Sequence, residues 1–107
     1  MYFRSNSHWG THIWNYIHTI SIIDFVDSQD NLYHSKLVYE ILKILKFPCK
    51  TCQNEYDNEF NNIDINQLSS SMYLFKWSWN LHNKINLKLN KSLITYEDAL
   101  NNYTIKI

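Results

Sequence analysis

Residues 72 to 89 read MYLFKWSWNLHNKINLKL, and two patterns run through them at once. Leu74, Trp77, Leu81 and Ile85 recur at steps of three and four, which puts them on one face of a helix and makes that face apolar enough to bury. His82, Asn83, Asn86 and Asn90 fall on an adjacent face. Asparagine is a poor helix former, and a helix face left to water favours Lys, Glu and Gln, so Asn and His repeated there point to side chains held by hydrogen bonds. A plain surface in an asparagine-rich chain is the competing account of the same residues. On either account the spacing predicts a helix over Met72 to Leu89.

Outward from that helix, the chain offers little material for anything but more helices. Its 107 residues contain one glycine, Gly10, and one proline, Pro48. A β-sandwich or barrel needs a supply of tight-turn residues, and a Rossmann domain or P-loop needs a glycine-rich phosphate loop, so neither can be built here. Connections made from Asn, Asp and Ser suit a helical bundle. A first helix is expected from His8 to Asp24, with Trp9, Ile13, Trp14, Ile17 and Ile20 at helical spacing. DSQDN at residues 27 to 31 offers N-caps for a second helix through YHSKLVYEILKILK, with Leu37, Ile41, Leu42, Ile44 and Leu45 as its apolar face. Pro48 stops that helix and suits the start of a third, expected from Pro48 or Cys49 towards Phe60, which sets Cys49 in its first turn. NNIDINQLSSS reads as a loop with a short turn, and Thr95 with Asp98 three residues on resembles a capping box for a brief fifth helix from Tyr96 to Asn102. The expected fold is all-α, a four-helix bundle with a short fifth helix, forming a single domain over residues 1–107.

Composition excludes several functions. Formal charge is zero, so no basic excess is available to displace phosphate counterions, which argues against nucleic-acid binding. No apolar stretch is long enough to span a bilayer and no charged start leads into an apolar signal region, so the expectation is a soluble chain inside the cell.

Cys49 and Cys52, in KFPCKTCQNE at residues 46 to 55, are the two cysteines of the chain. At a helix N-terminus the backbone N–H groups and the helix dipole stabilise a thiolate, so Cys49 would be the readier nucleophile and Cys52, one turn in, its disulfide partner. Small buried cysteines are also common and inert, and a C-x-x-C pair can instead hold zinc. His8, His12 and His18 supply further ligand types, so a zinc-stabilised helical interaction module using Cys49, Cys52 and histidines stands as the alternative, with a plain helical adaptor beside it. Trp14 and His18 lie four apart on one helix face, and an aromatic ring with an imidazole facing amides on another helix would suit a planar heteroaromatic ligand.

Three motifs together resemble the Erv/ALR family of FAD-linked sulfhydryl oxidases. They are W-G-x3-W-x3-H at Trp9 to His18, P-C-x-x-C at Pro48 to Cys52, and W-x4-H-N-x-[IV]-N-x-x-L-x-K at Trp77 to Lys91. Their order and spacing are most similar to the compact forms found in large cytoplasmic DNA viruses. The resemblance implies a helical bundle holding FAD at one end, a homodimer, and a place in the cytoplasm of the infected host cell or in the virion. It further implies catalysis by Cys49 and Cys52, with FAD contacts from Gly10, Trp14 and His18, from His82, Asn83, Asn86, Leu89 and Lys91, and from Tyr96. Thiol-bearing proteins would be the substrates, reached directly or through a separate thioredoxin-like shuttle, and oxygen the acceptor, giving hydrogen peroxide. Two departures stand out. Asn90 replaces the glycine of the family's usual L-G-K, a change a positive φ tolerates in asparagine better than in other non-glycine residues. Ile22 and Ile23 stand where many relatives carry an aromatic residue.

Overall fold

Five helices and one turn of 3-10 helix, Ile65–Gln67, account for the regular structure: α1 Trp9–Ser21, α2 Ser28–Ile44, α3 Lys50–Asn61, α4 Tyr73–Lys88 and α5 Tyr96–Tyr103. They come from a computed structural model that describes residues 9–25 and 27–103, without the side chains of Trp9 and Thr11. Among the described residues there is no strand. His8 lies outside them.

The central packing is α1 against α4, with α3 on the same α4 and α2 and α5 each against α1. Ile13, Trp14 and Ile17 of α1 are buried against Leu74, Leu81 and Ile85 of α4, the apolar stripe that the spacing in 72–89 required, with Trp77 half-buried at its edge. Trp77 is fixed there by its Nε1–H, which donates to the Glu59 carbonyl at 3.1 Å. Ion pairs Lys84–Glu59 at 2.7 Å and Lys88–Glu55 at 3.2 Å join α4 to α3 on the surface, where each adds a fraction of a kcal/mol, about 0.2–1.

Four expectations are corrected. α1 ends at Ser21, not Asp24, because Asp24 is turned to bind Asn31 Nδ2 at 2.7 Å and the Ser71 hydroxyl at 2.6 Å, which bends the chain into the α1–α2 connection. α2 starts at Ser28 behind Asp27, inside the DSQDN stretch expected to cap it, with the Asp27 carboxylate accepting from the N–H groups of Gln29 and Asp30, but it ends at Ile44, before Lys46. Its buried face keeps Leu42 and Leu45 of the expected five, adds Val38, and leaves Leu37 and Ile44 out. Val38 and Leu42 point inward, with Leu45 buried at the C-cap, while Leu37 is 50 % and Ile44 72 % exposed. The expected face was wider than a helix can bury on one side, and tertiary bonds fix its orientation: Asn31 accepts from Phe25 N–H at 2.6 Å, and the Tyr56 hydroxyl of α3 donates to the Leu42 carbonyl at 2.5 Å. Finally α3 begins at Lys50, so Cys49 is its N-cap and not part of its first turn.

The end of α4 carries the one backbone conformation foreseen from the family comparison. Asn90 has φ 56°. Asn90 N–H bonds the Leu87 carbonyl at 3.3 Å and Lys91 N–H the Asn86 carbonyl at 2.8 Å, a paired closure that a left-handed residue just past the helix makes available. Met72, ahead of α4, is also left-handed at φ 62°. Thr95 caps α5 by accepting from Asp98 N–H at 3.1 Å.

Candidate functional site

Two clusters of side chains stand out, linked through Phe47. The first is an aromatic stack. Trp14 and His82 lie nearly parallel, with ring centroids 4.1 Å apart and an interplanar angle of 9°. His18 stacks on both, 5.5 Å from Trp14 and 5.1 Å from His82. The spacing i, i+4 on α1 brings Trp14 and His18 together, and the α1–α4 packing brings His82 to them. His18 is 2 % exposed. Its Nδ1 is 2.8 Å from Ser78 Oγ and its Nε2 is 2.9 Å from His82 Nδ1, while the Ser78 hydroxyl donates to the Phe75 carbonyl at 2.7 Å. Burial first, and then the charge of His82, holds the His18 pKa down at about 3. Burial and the nearby Lys91 cation hold His82 at about 4. Both rings are therefore neutral at physiological pH.

The second cluster is the cysteine pair. Cys49 is half-buried as the N-cap of α3, its Sγ accepting from the Cys52 N–H at 3.3 Å, and Cys52 is 2 % exposed. Gln53 fastens the turn that leads into it: its side-chain oxygen accepts from Phe47 N–H at 2.6 Å, and its own N–H donates to the Cys49 carbonyl at 2.9 Å. Lys46, Pro48, Lys50 and Thr51 are exposed around Cys49, whereas Phe47 is buried and lays its ring edge-on to Trp14 at 5.7 Å. Phe47 is thus the physical link between the cysteine turn and the stack.

The two thiols differ in acidity for reasons visible in this geometry. Partial burial works to raise Cys49, but hydrogen bonds from the Cys52 thiol and from the N–H groups of Cys52 and Thr51 outweigh it and set Cys49 below an ordinary thiol. Burial, reinforced by the hydrogen bond to Cys49 and its charge, pushes Cys52 up to about 12, with Lys91 acting against the rise. Lys91, in the α4–α5 connection, contributes positive charge at both Cys52 and His82.

The remaining residues singled out from the sequence take varied places. Gly10 is half-buried in the first turn of α1, and a Cβ there would meet nothing within 4 Å, so protein packing does not require the glycine. Asn86 is buried and Leu89 packs on the core. Asn83 is occupied otherwise than as a free amide: it accepts from Ile94 N–H and donates to the Ile94 carbonyl, both at 2.8 Å, and the same carbonyl accepts from Trp79 Nε1–H at 2.7 Å. The polar face of α4 thereby pins the segment between Lys91 and Tyr96. Tyr96 itself meets Trp79 and Phe75 edge-on, at 5.3 and 6.0 Å, with Lys76 Nζ 5.9 Å above its ring.

Among the described residues no three His, Cys, Asp or Glu side chains converge as metal ligands, and His18 is turned towards Ser78 and His82 instead of towards the cysteines. None of those residues forms a helix long and apolar enough to cross a membrane.

The model of the Erv1 / Alr family matches residues 11–104, a span that holds both clusters and starts just after Gly10. The chain belongs to the Erv1/Alr family. Among Erv1/Alr relatives it is similar to a probable FAD-linked sulfhydryl oxidase of Acanthamoeba polyphaga mimivirus, 26% identical over 100 residues, covering 90% of this chain and 68% of the relative. It is also 26% identical over 99 residues to an FAD-linked sulfhydryl oxidase of African swine fever virus, covering 90% and 80% of the two chains. A putative FAD-linked sulfhydryl oxidase of Frog virus 3 aligns over half of this chain, at 29% identity. No solved structure gives a significant match.

Three residues in or beside these clusters were not picked out from the sequence. Phe47 reads as one more core aromatic, Ser78 as a small residue in a helix, and Tyr103 lies beyond the motifs, yet its ring packs 4.9 Å from His18 and its hydroxyl donates to Asn15 Oδ1 at 2.8 Å. The only signal for Ser78 was its position four residues before His82 on the same helix face.

Proposed function

We propose that this protein is an FAD-dependent thiol oxidase that makes disulfides in protein substrates through the Cys49–Cys52 pair. The observation that supports this reading is Phe47: it leads into the Cys49–Cys52 turn and packs edge-on to Trp14 at 5.7 Å, which ties the cysteine pair to the flat Trp14–His82 stack. The residues suit a flavin nucleotide. His82 is the half-buried ring of the stack, backed by the buried Trp14 and His18, the open space at Gly10 leaves room beside α1, Lys91 supplies a cation, and Asn86 and Leu89 lie at the end of α4, with Asn83 holding the segment that leads to Tyr96 through Ile94. When bound, FAD supplies the two-electron chemistry that carries the electrons of the dithiol to oxygen, giving hydrogen peroxide.

The chain's own part is thiol–disulfide exchange. A substrate thiolate attacks Cys49 Sγ of the oxidised pair, the Cys49–Cys52 bond breaks, and Cys52 leaves as a thiolate. A second substrate thiol then attacks the substrate sulfur of the mixed disulfide, which releases the substrate as a disulfide and leaves two electrons on the reduced pair. Acidity alone would favour Cys49 as the leaving group, since its thiol is the more acidic. Access decides otherwise, because Cys52 is buried and a protein thiol reaches only Cys49. Lys91 eases the departure of Cys52 by stabilising its thiolate.

These 107 residues hold no cysteine beyond this pair, and in this reading substrates meet Cys49 directly or through a thioredoxin-like shuttle. In this reading two copies pair as a homodimer, and the exposed Tyr33, Leu37 and Ile44 of α2 are apolar surface that pairing would cover. In this reading its work lies in the cytoplasm of an infected cell or in the virion, which the similarity to oxidases of large DNA viruses supports.

The test is to purify the 107-residue chain with FAD supplied, then record its visible spectrum and its oxygen uptake on adding a reduced protein thiol. A yellow protein that consumes oxygen and releases peroxide only when thiol is present is expected. A colourless protein, or a flavoprotein with no thiol-dependent oxygen uptake, would sink the proposal.

A further inference from the structure

Ser78 is fully buried in α4 and its hydroxyl sits between two polar partners, the Phe75 carbonyl at 2.7 Å and His18 Nδ1 at 2.8 Å. A hydroxyl has one proton and a carbonyl has none, so both contacts are satisfied only if Ser78 donates to Phe75 and accepts from His18 Nδ1–H. A neutral imidazole carries one N–H, which leaves the lone pair of His18 on Nε2, 2.9 Å from His82 Nδ1. Two lone pairs facing each other at that distance repel, so His82 Nδ1 carries the proton and donates it. The burial that keeps both rings neutral supports this count.

The direction of a single serine proton therefore decides what the far end of the chain shows. With Ser78 donating to Phe75, His82 Nε2 is a bare acceptor. Were Ser78 to donate to His18 instead, both imidazoles would exchange tautomers and His82 Nε2 would become a donor. That nitrogen lies across the ring from the bonded Nδ1 and so points away from His18, on a half-buried ring that forms one face of the Trp14 stack.

We propose that Ser78 is a positioning residue: by donating to the Phe75 carbonyl it fixes the tautomers of His18 and His82, so that the stack offers a hydrogen-bond acceptor at His82 Nε2 and selects a ligand group that donates. The identity of the ligand rests on the flavin reading above; for a flavin nucleotide the complementary groups are its amino, imide and hydroxyl hydrogens. The tautomer assignment does not rest on that reading.

The experiment is long-range proton–nitrogen correlation NMR on the full chain labelled with 15N-histidine, at neutral pH, as purified and after adding FAD. Both His18 and His82 should show a protonated Nδ1 and an unprotonated Nε2. An Nε2-protonated ring at either position overturns the proposal, and this result needs no variant that must fold. Ser78→Ala removes the acceptor for His18 Nδ1–H, so both rings should move towards the Nε2-protonated form and FAD should bind about fivefold more weakly, the worth of one typical hydrogen bond. Ser78→Thr, which restores the hydroxyl, should restore the tautomers. Wild-type tautomers and wild-type FAD affinity in Ser78→Ala would show that the serine positions nothing. Failure of the wild-type chain to bind FAD would remove the flavin reading while leaving the tautomer result to be judged on its own.

Discussion

Mild acid should destabilise this protein through two residues, His18 and His82. Their folded-state pKa values, about 3 and about 4, lie below the ordinary 6.5 because both rings are buried, with His82 repelling His18 and Lys91 repelling His82. Below 6.5 the unfolded chain takes up two protons that the folded chain refuses, so the unfolded state binds more protons and stability falls as the pH falls through the window from 6.5 towards the folded values. Above that window neither state binds them and their contribution is complete. Between pH 7 and about pH 5 each ring should account for a loss of about 2 kcal/mol, and the pair for about 4 kcal/mol, a large share of the roughly 5–15 kcal/mol that holds a domain folded. Urea unfolding at a series of pH values, at fixed flavin content, measures this directly. His82→Gln removes one of the two rings and should show about half the pH dependence. A loss smaller than about 1 kcal/mol over the same interval, or a gain, would refute the claim that both histidines are buried neutral.

Three further outcomes follow from particular contacts. Asn90→Ala should cost about 1 kcal/mol in chemical unfolding because alanine strains at φ 56°, whereas Asn90→Gly should be as stable as the native chain or slightly more so. Trp14→Ala should lower the unfolding free energy by about 3–5 kcal/mol and also empty the protein of flavin, so retention of full flavin content would place the pocket elsewhere. In Cys49→Ser the contributions of Cys49 to the Cys52 thiol vanish while its burial remains, so the pH dependence of Cys52 alkylation should have its midpoint between 9.0 and about 12. A thiolate-to-flavin charge-transfer band should rise with pH in that variant and be missing from Cys52→Ser.

Much of the site was legible because it sits on helices whose spacing can be counted. Trp14 and His18 share a face by being four apart, the stripe of Leu74, Leu81 and Ile85 fixes which side of α4 meets α1, and the left-handed Asn90 follows from its replacing a glycine. The cysteine turn was placed within one residue. What stayed hidden depends on partners far along the chain. The apolar residues of α2 span more than one face, and the bonds of Asn31 and Tyr56 set which of them, Val38, Leu42 and Leu45, turn inward. The spacing marks Asn83 as held by hydrogen bonds but not by what, because its partner is the backbone of Ile94, which no side-chain pattern announces. Ser78 and Tyr103 were missed for the same reason: a buried serine and a late tyrosine acquire meaning only when His18 is found beside both.

The central claim, that the Cys49–Cys52 pair hands electrons to a flavin held by the Trp14–His82 surface, is tested most directly by anaerobic reduction. The purified flavoprotein is mixed with a protein dithiol in the absence of oxygen, and the visible flavin absorbance is followed in the wild type, Cys49→Ser and Cys52→Ser. The account predicts rapid bleaching in the wild type and none on the same timescale in either variant, although both still hold flavin. Bleaching of either variant at the wild-type rate would contradict it, because electrons would then be reaching the flavin without the disulfide.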